Sequence, residues 1–179
     1  MAGFYLYRTA SDFLSAAFQV LQSDPLSEEP YYISQTLNQL ILSGHKISHS
    51  FVEADRVHSF YQPSKIDSYN ASPSQAVRNK LNSNLKINVV IPSSGKGSRF
   101  SNDNWRKPKP FIDVNGKPMI SNVIDNLSSD NCFFSIILLE NHKKQAEPLS
   151  ALHNNCQYRY LSSVTEGTAC SVLHLNSSI

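Results

Sequence analysis

The sequence predicts an α/β fold, in which helices cover a parallel sheet in three Rossmann-like layers. The sheet is expected to be incomplete, and a small α+β segment precedes it. Two observations in residues 86–179 support this prediction. Short strand-like and helix-like patterns alternate there, as in parallel sheets, and a glycine-rich turn directly follows the first strand-like run. We predict three regions: a small α+β segment at residues 1–69, a polar linker at 70–85 and the α/β region at 86–179.

Two helices and three strands are predicted in the first segment. Apolar residues at helical spacing indicate a helix over residues 13–21, with Ser11 or Asp12 as its N-cap and a break at Asp24-Pro25. A second helix is predicted over residues 31–42, with Gly44 as its stop. The three strand candidates are residues 4–7, 46–52 and 57–61. In the linker, Ser72-Pro73 is a candidate helix start.

The second region alternates three strands with three helices. Its first strand, residues 87–91, is rich in β-branched side chains, which is typical of a strand buried on both faces. The remaining predicted elements, in order, are a helix with its apolar stripe at residues 119–127, a strand at 133–139, a helix at 143–152, a strand at 157–161 and a helix at 168–175.

The composition fits a globular protein with a sizeable core. The chain has 179 residues, of which 40% are hydrophobic and 17% charged. A net charge of +2 is too small to indicate a nucleic-acid or membrane surface, so neither partner is expected. We find no apolar run of about 18 residues and no secretory signal at the N-terminus. The three cysteines lack CxxC spacing, which favours small buried side chains and a cytoplasmic location.

The glycine-rich turn is the first candidate for a binding site. Gly95 and Gly97 lie within three residues of each other, although the chain has only 6 glycines. After a parallel strand, such a turn lets backbone N–H groups converge on an anion, and Lys96 and Arg99 can offset the negative charge. A purely structural turn remains an alternative. The spacing matches neither a dinucleotide fingerprint, because Phe100 stands at the third glycine position, nor a Walker A loop.

A second cluster of motif residues follows the turn. Lys109 lies between Pro108 and Pro110, which restrict the local backbone and hold the ammonium group in place. A positioned cation near a phosphate-binding loop suits phosphoryl chemistry. Asn115-Gly116 is predicted to form a tight turn, with Pro118 in the first turn of the next helix.

Together these motifs resemble the signature of the sugar-phosphate nucleotidyltransferases, which have a glycosyltransferase A-like fold (the nucleotide-diphospho-sugar transferase type). The resemblance covers residues 86–179 and rests on three stretches: residues 95–100 (GKGSRF), the Pro108-Lys109-Pro110 triplet with residues 114–120 (VNGKPMI), and residues 165–169 (TEGTA). One departure is Ser93-Ser94, where a small apolar residue is expected. Residues 1–69 resemble, more weakly, the C-terminal tail of the same domain, and an ordinary α+β segment is the alternative.

The resemblance implies a reaction and a set of site residues. In that family, the phosphate of a sugar phosphate or a similar small phosphate attacks the α-phosphorus of a nucleoside triphosphate, and pyrophosphate leaves. The expected catalytic residues are Arg99, steadying pyrophosphate, and Lys109, stabilising the α-phosphate. The expected nucleotide-binding residues are Ser94, Gly95, Lys96, Gly97 and Ser98 around the triphosphate, and Glu166, Gly167 and Thr168 facing the base.

A Mg²⁺ ion is also expected from the family, to screen the phosphates and orient the triphosphate. The aspartate that binds it in the family lies on a strand after the helix begun at Thr168, beyond Ile179. We therefore assign no metal ligand in this chain. Asp113 occupies what the motif indicates is a structural position.

Three functions stay open at this point. The first is a nucleotidyltransferase in nucleotide-sugar and polysaccharide biosynthesis, with a homo-oligomer or a complementing domain as a possible partner. The second is a nucleotide-binding module without turnover, or an inactive fragment of a longer tandem protein. The third is a glycosyltransferase that uses a finished nucleotide sugar. That third reading predicts an Asp-x-Asp motif, which the sequence lacks.

Overall fold

A computed structural model describes residues 3–25, 27–71, 86–101 and 107–175. The chain divides into two compact units, Met1–Val57 with Val164–Ile179, and His58–Ser163. These bounds differ from the predicted division at residues 69 and 86. Most of the predicted linker, including Ser72-Pro73, lies outside the described residues. No helix in the described part of the chain has both the length and the apolar character needed to cross a membrane.

The fold is mixed α/β, with seven helices and five strands among the described residues. In chain order these are α1 Ala10–Ser23, α2 Ile33–Leu42, α3 Pro63–Ala71, β1 Ile87–Pro92, α4 Ser98–Ser101, β2 Asp113–Val114, β3 Lys117–Pro118, α5 Met119–Leu127, β4 Cys132–Leu139, α6 Lys143–Leu152, β5 Cys156–Leu161 and α7 Thr168–Leu173. Short 3-10 turns span Ala54–Arg56, Lys109–Phe111 and Glu140–His142.

The first unit is built on α1 and α2, which pack against each other. A capping box fixes the start of α1: the Asp12 N–H donates to Thr9 Oγ1, and the Thr9 N–H donates to Asp12 Oδ2, both at 3.2 Å. The N-cap is therefore Thr9, which lies before both predicted candidates. Gly44 follows α2 with φ +85°, as expected of a helix stop.

The strands predicted in the first segment are wrong. Residues 4–7, 46–52 and 57–61 all lie outside the strands of the described chain. A strand forms only where its backbone can hydrogen-bond to a neighbouring strand. Residue 7 packs against helices instead: the Tyr7 ring lies 5.2 Å from the Phe13 ring, and the Tyr7 hydroxyl is hydrogen-bonded to Thr36 Oγ1 at 2.6 Å. Phe51 is 93% exposed. Within the described residues 3–71, the segment is therefore helical rather than α+β.

The second unit contains a parallel three-stranded sheet in the order β1-β4-β5. Alternate residues of β4 form one buried face, which packs against α5 and α6. This core includes Phe134, Ile136, Leu138, Ile120, Ile124, Ala146 and Leu149. The prediction of a parallel sheet covered by helices is confirmed at this level, and the predicted bounds of α6 match the structure.

The prediction that β1 is buried on both faces is wrong. Its residues alternate between half-buried and exposed, and Val90 is 36% exposed. Val89 and Ile91 pack toward the core that α5 and α6 cover, so only one face of β1 joins that core. The β-branched residues reflect strand propensity rather than two-sided burial.

The hairpin β2–β3 turns at Asn115 and Gly116, with φ values of +51° and +79°. This is the tight Asn-Gly turn predicted from the sequence. The Asn115 N–H donates to Asn70 Oδ1 at 2.7 Å, so the hairpin is bonded to the end of α3. Ile66 of α3 is fully buried. Residues 63–69, which the sequence analysis assigned to the first segment without predicting a helix, thus belong to helix α3 of the second unit.

Candidate functional site

The predicted phosphate loop follows β1 at the carboxyl edge of the parallel sheet. The Ser93 N–H donates to the Ile137 carbonyl of β4 at 2.8 Å, which extends the strand pairing by one residue. The chain then leaves the sheet. Ser94 is buried, at 2% exposure, whereas Gly95 and Lys96 are exposed. In open α/β sheets this edge is where ligands bind.

The two glycines of the loop differ in what the fold requires of them. Gly97 has φ +61°, a left-handed conformation that side chains rarely adopt. A Cβ at Gly97 would lie 3.6 Å from Lys109 Cβ, so the stem of Lys109 packs directly against the loop. Gly95 does not have a positive φ, and a Cβ there would meet open space. The fold itself does not demand glycine at Gly95, which leaves room for a ligand to approach the backbone.

Lys109 is held by the 3-10 turn Lys109–Phe111. The Phe111 N–H donates to the Pro108 carbonyl at 2.9 Å, and the Ile112 N–H donates to the Lys109 carbonyl at 3.3 Å. Phe111 is 4% exposed and belongs to the core under the sheet. The turn is therefore anchored to the body of the unit, and it presents Lys109 to the loop.

The electrostatics of the site favour an anion. Burial, and secondarily the positive charge of Arg99, lower the pKa of Lys109 from its usual 10.5. Among the described residues, neither Lys109 nor Arg99 forms an ion pair with a carboxylate. Lys117, by contrast, pairs with Asp125 at 2.9 Å. Two neighbouring cations that have no carboxylate partner among the described residues repel each other, and a bound anion would relieve that repulsion.

The structure brings Lys109 against Gly97 and close to Arg99. Lys96, Ser98 and Arg99 are exposed around the loop, with Ser98 and Arg99 in the short helix α4. Such an arrangement can hold an anion between backbone N–H groups and two side-chain cations. The roles given to each residue remain predictions.

The predicted base-facing turn, with Glu166, Gly167 and Thr168, lies in the first unit. Its backbone already pairs with Tyr31: the Tyr31 N–H donates to the Glu166 carbonyl at 2.8 Å, and the Ala169 N–H donates to the Tyr31 carbonyl at 3.0 Å. Gly167 has φ +148°, and an added Cβ there would lie within 3 Å of the Tyr31 backbone. The fold therefore requires this glycine independently of any nucleotide.

Three residues of structural importance near these features were missed by the sequence analysis. The first is Tyr31, whose role could not be read from local patterns because its hydrogen-bond partners, Glu166 and Ala169, lie far along the chain. Phe100 is 4% exposed, and Lys109 Nζ lies 5.1 Å from its ring centroid. His142 is 6% exposed and packs edge-on against Phe111 at 5.8 Å, and its buried Nδ1 has no hydrogen-bond partner among the described residues. The sequence did offer a signal for His142, which lies three residues after the end of strand β4, at the edge of the sheet where ligands bind.

The expected magnesium ion finds no ready ligand set in the described residues. No group of three or more His, Cys, Asp or Glu side chains there could hold a metal. Asp113 uses Oδ1 to accept the Gly116 N–H at 2.8 Å, in keeping with its structural assignment. Mg²⁺ bound mainly through substrate phosphates needs only one or two carboxylates.

No protein-family model, curated protein or solved structure matches this chain. The motif spacing and the geometry of the loop therefore carry the functional argument.

Proposed function

We propose that this chain is a nucleotidyltransferase-family protein that transfers a nucleotidyl group from a nucleoside triphosphate to a sugar phosphate or a similar small phosphate, with release of pyrophosphate. Its place would be in the synthesis of nucleotide sugars for polysaccharides. The observation that carries this proposal is the packing of Lys109 against Gly97, with Arg99 close enough to lower the pKa of Lys109.

The positive charges of Lys109 and Arg99 suit a reaction in which negative charge develops on phosphate oxygens. Negative charge develops on the oxygens of the α-phosphate during attack and on pyrophosphate as it leaves. Cations fixed beforehand stabilise that charge without reorganising, and this is commonly the largest single contribution to rate. Lys109, anchored by the 3-10 turn, would serve the α-phosphate, and Arg99 would serve the leaving group. The backbone of residues 94–98 would bind the remaining phosphate oxygens.

The enzymatic reading is tested by turnover with a matched pair of lysine variants. The full chain is incubated with Mg²⁺, the four common nucleoside triphosphates and a panel of sugar phosphates, and pyrophosphate release is followed. Lys109→Ala should lower the rate about a hundredfold, as loss of one such electrostatic contact does. Lys117→Ala removes a lysine that is 53% exposed and paired with Asp125, so its rate should stay near that of the unchanged protein. Equal rates in both variants would exclude Lys109 from the chemistry.

A nucleotide-binding module without turnover is the second candidate. Two observations favour it: Lys109 and Arg99 form no ion pair with a carboxylate of the described residues, and those residues contain no metal-ligand group. This candidate predicts saturable triphosphate binding that Lys109→Ala weakens, with no pyrophosphate release under any condition in the panel. Absence of both binding and release would favour an inactive fragment of a longer protein.

A further inference from the structure

Phe100 lies at the centre of the loop region, although the motif gives it no role. The Phe100 N–H donates to the Gly97 carbonyl at 2.8 Å, which ties its backbone to the glycine turn. Its side chain is only 4% exposed. One residue therefore contacts both the loop and the interior of the second unit.

The ring of Phe100 also supports the key cation. Lys109 Nζ lies 5.1 Å from the ring centroid, within the range of a cation–π contact. This contact partly replaces the water that Lys109 loses on burial, since the face of an aromatic ring carries partial negative charge. It offers attraction without the full charge of a carboxylate, which would neutralise the lysine and compete with an anion for it.

The position of the ring is itself fixed by the residues behind it. Phe100 belongs to a buried cluster with Ile66 of α3, and the hairpin region contributes the other members, Ile112, Val114 and Met119. Ile66 is fully buried. A ring packed on this cluster has little freedom to turn away from Lys109.

We propose that Phe100 is a positioning residue, which holds the Lys109 ammonium at the mouth of the Gly95–Gly97 loop through the face of its ring. This inference rests on the proposed function, because it assumes that Lys109 acts on a bound polyphosphate. It adds that the affinity of the loop for that anion depends on an uncharged aromatic partner. An aliphatic residue of similar size would fill the cluster without directing the lysine.

The test compares two Phe→Leu variants of the full chain. Phe100→Leu removes the ring beneath Lys109. Phe134→Leu removes a ring that is 1% exposed in the core under the sheet, and serves as the control for lost packing. Binding of inorganic triphosphate is measured by calorimetry, with circular dichroism to confirm folding. Loss of the cation–π contact should weaken binding about 2- to 30-fold in Phe100→Leu, with affinity unchanged in Phe134→Leu.

An NMR measurement tests the Phe100–Lys109 contact independently of triphosphate binding. The Lys109 side-chain methylene protons near the Phe100 ring should show an upfield ring-current shift in NMR spectra of the unchanged protein. The shift should disappear in Phe100→Leu and persist in Phe134→Leu. Equal losses of affinity in the two variants, or an ordinary Lys109 shift in the unchanged protein, would overturn the proposal. Triphosphate binding without pyrophosphate release would reject the enzymatic function and leave the role of Phe100 supported.

Discussion

Replacing Gly167 by alanine should destabilise the first unit because the backbone of Tyr31 occupies the place of the new methyl group. The added Cβ would lie 2.3 Å from the Tyr31 carbonyl oxygen and 2.5 Å from its nitrogen. Backbone atoms cannot move aside as a flexible side chain can. Either Gly167 must change its conformation or Tyr31 must withdraw from the turn.

The size of the effect follows from two contributions. Gly167 has φ +148° and ψ +173°, a region used almost only by glycine, where a side chain costs roughly 1–3 kcal/mol. Withdrawal of Tyr31 breaks two backbone hydrogen bonds, each worth about 0.5–1.5 kcal/mol net. A loss of roughly 2–6 kcal/mol is expected, which is a large fraction of the roughly 5–15 kcal/mol that stabilises a typical domain.

The assay combines urea unfolding, followed by circular dichroism, with hydrogen exchange at the Tyr31 and Ala169 amides. Gly44→Ala is the matched control, since Gly44 has φ +85° in the same unit and an added Cβ there meets no atom within 4 Å. It should lose only the conformational cost of about 1–2 kcal/mol. If Gly167→Ala is no less stable than Gly44→Ala, and both amides stay protected, the steric reasoning is wrong.

Two further predictions concern the second unit. Gly95→Ala should leave the melting temperature unchanged, because an added Cβ meets open space. It should weaken triphosphate binding severalfold if the backbone at Gly95 contacts phosphate. Unchanged affinity in calorimetry would contradict that contact. Burial lowers the pKa of His142 below its ordinary 6.5, so the unfolded chain binds a proton at a higher pH than the folded chain does. The free energy of unfolding should therefore fall as pH drops below about 6.5. Urea titrations should show a weaker pH dependence in His142→Leu, whereas His45→Gln, at an exposed histidine, should retain it.

Local patterns in the sequence were sufficient to predict much of the second unit. The helix Lys143–Leu152 and the turn at Asn115-Gly116 depend on residues close in the chain, and both appear as predicted. A parallel sheet was also predicted from the alternation of strands and helices, and β1 and β4 do pair in parallel. Short-range chemistry determined these features.

The failures have a common physical cause in long-range contacts. The strand predicted at residues 46–52 has suitable side chains but no strand partner among the described residues, and propensity alone does not create a sheet. Burial of Ile66 against Phe100 joins segments that lie on either side of residues 72–85. At the site, the loop and Lys109 were predicted from motif spacing, whereas the contact of the Phe100 ring with Lys109 depends on three-dimensional packing.

The pairing of Tyr31 with the Glu166–Ala169 turn has a consequence for any ligand that the same two backbone groups would recognise. The backbone of Tyr31 already occupies them as an intramolecular competitor, whose effective concentration does not depend on the protein concentration. A free molecule at micromolar concentration could displace it only by making additional favourable contacts elsewhere. Selectivity at this turn would then be set by what a ligand gains beyond the bonds that Tyr31 already makes.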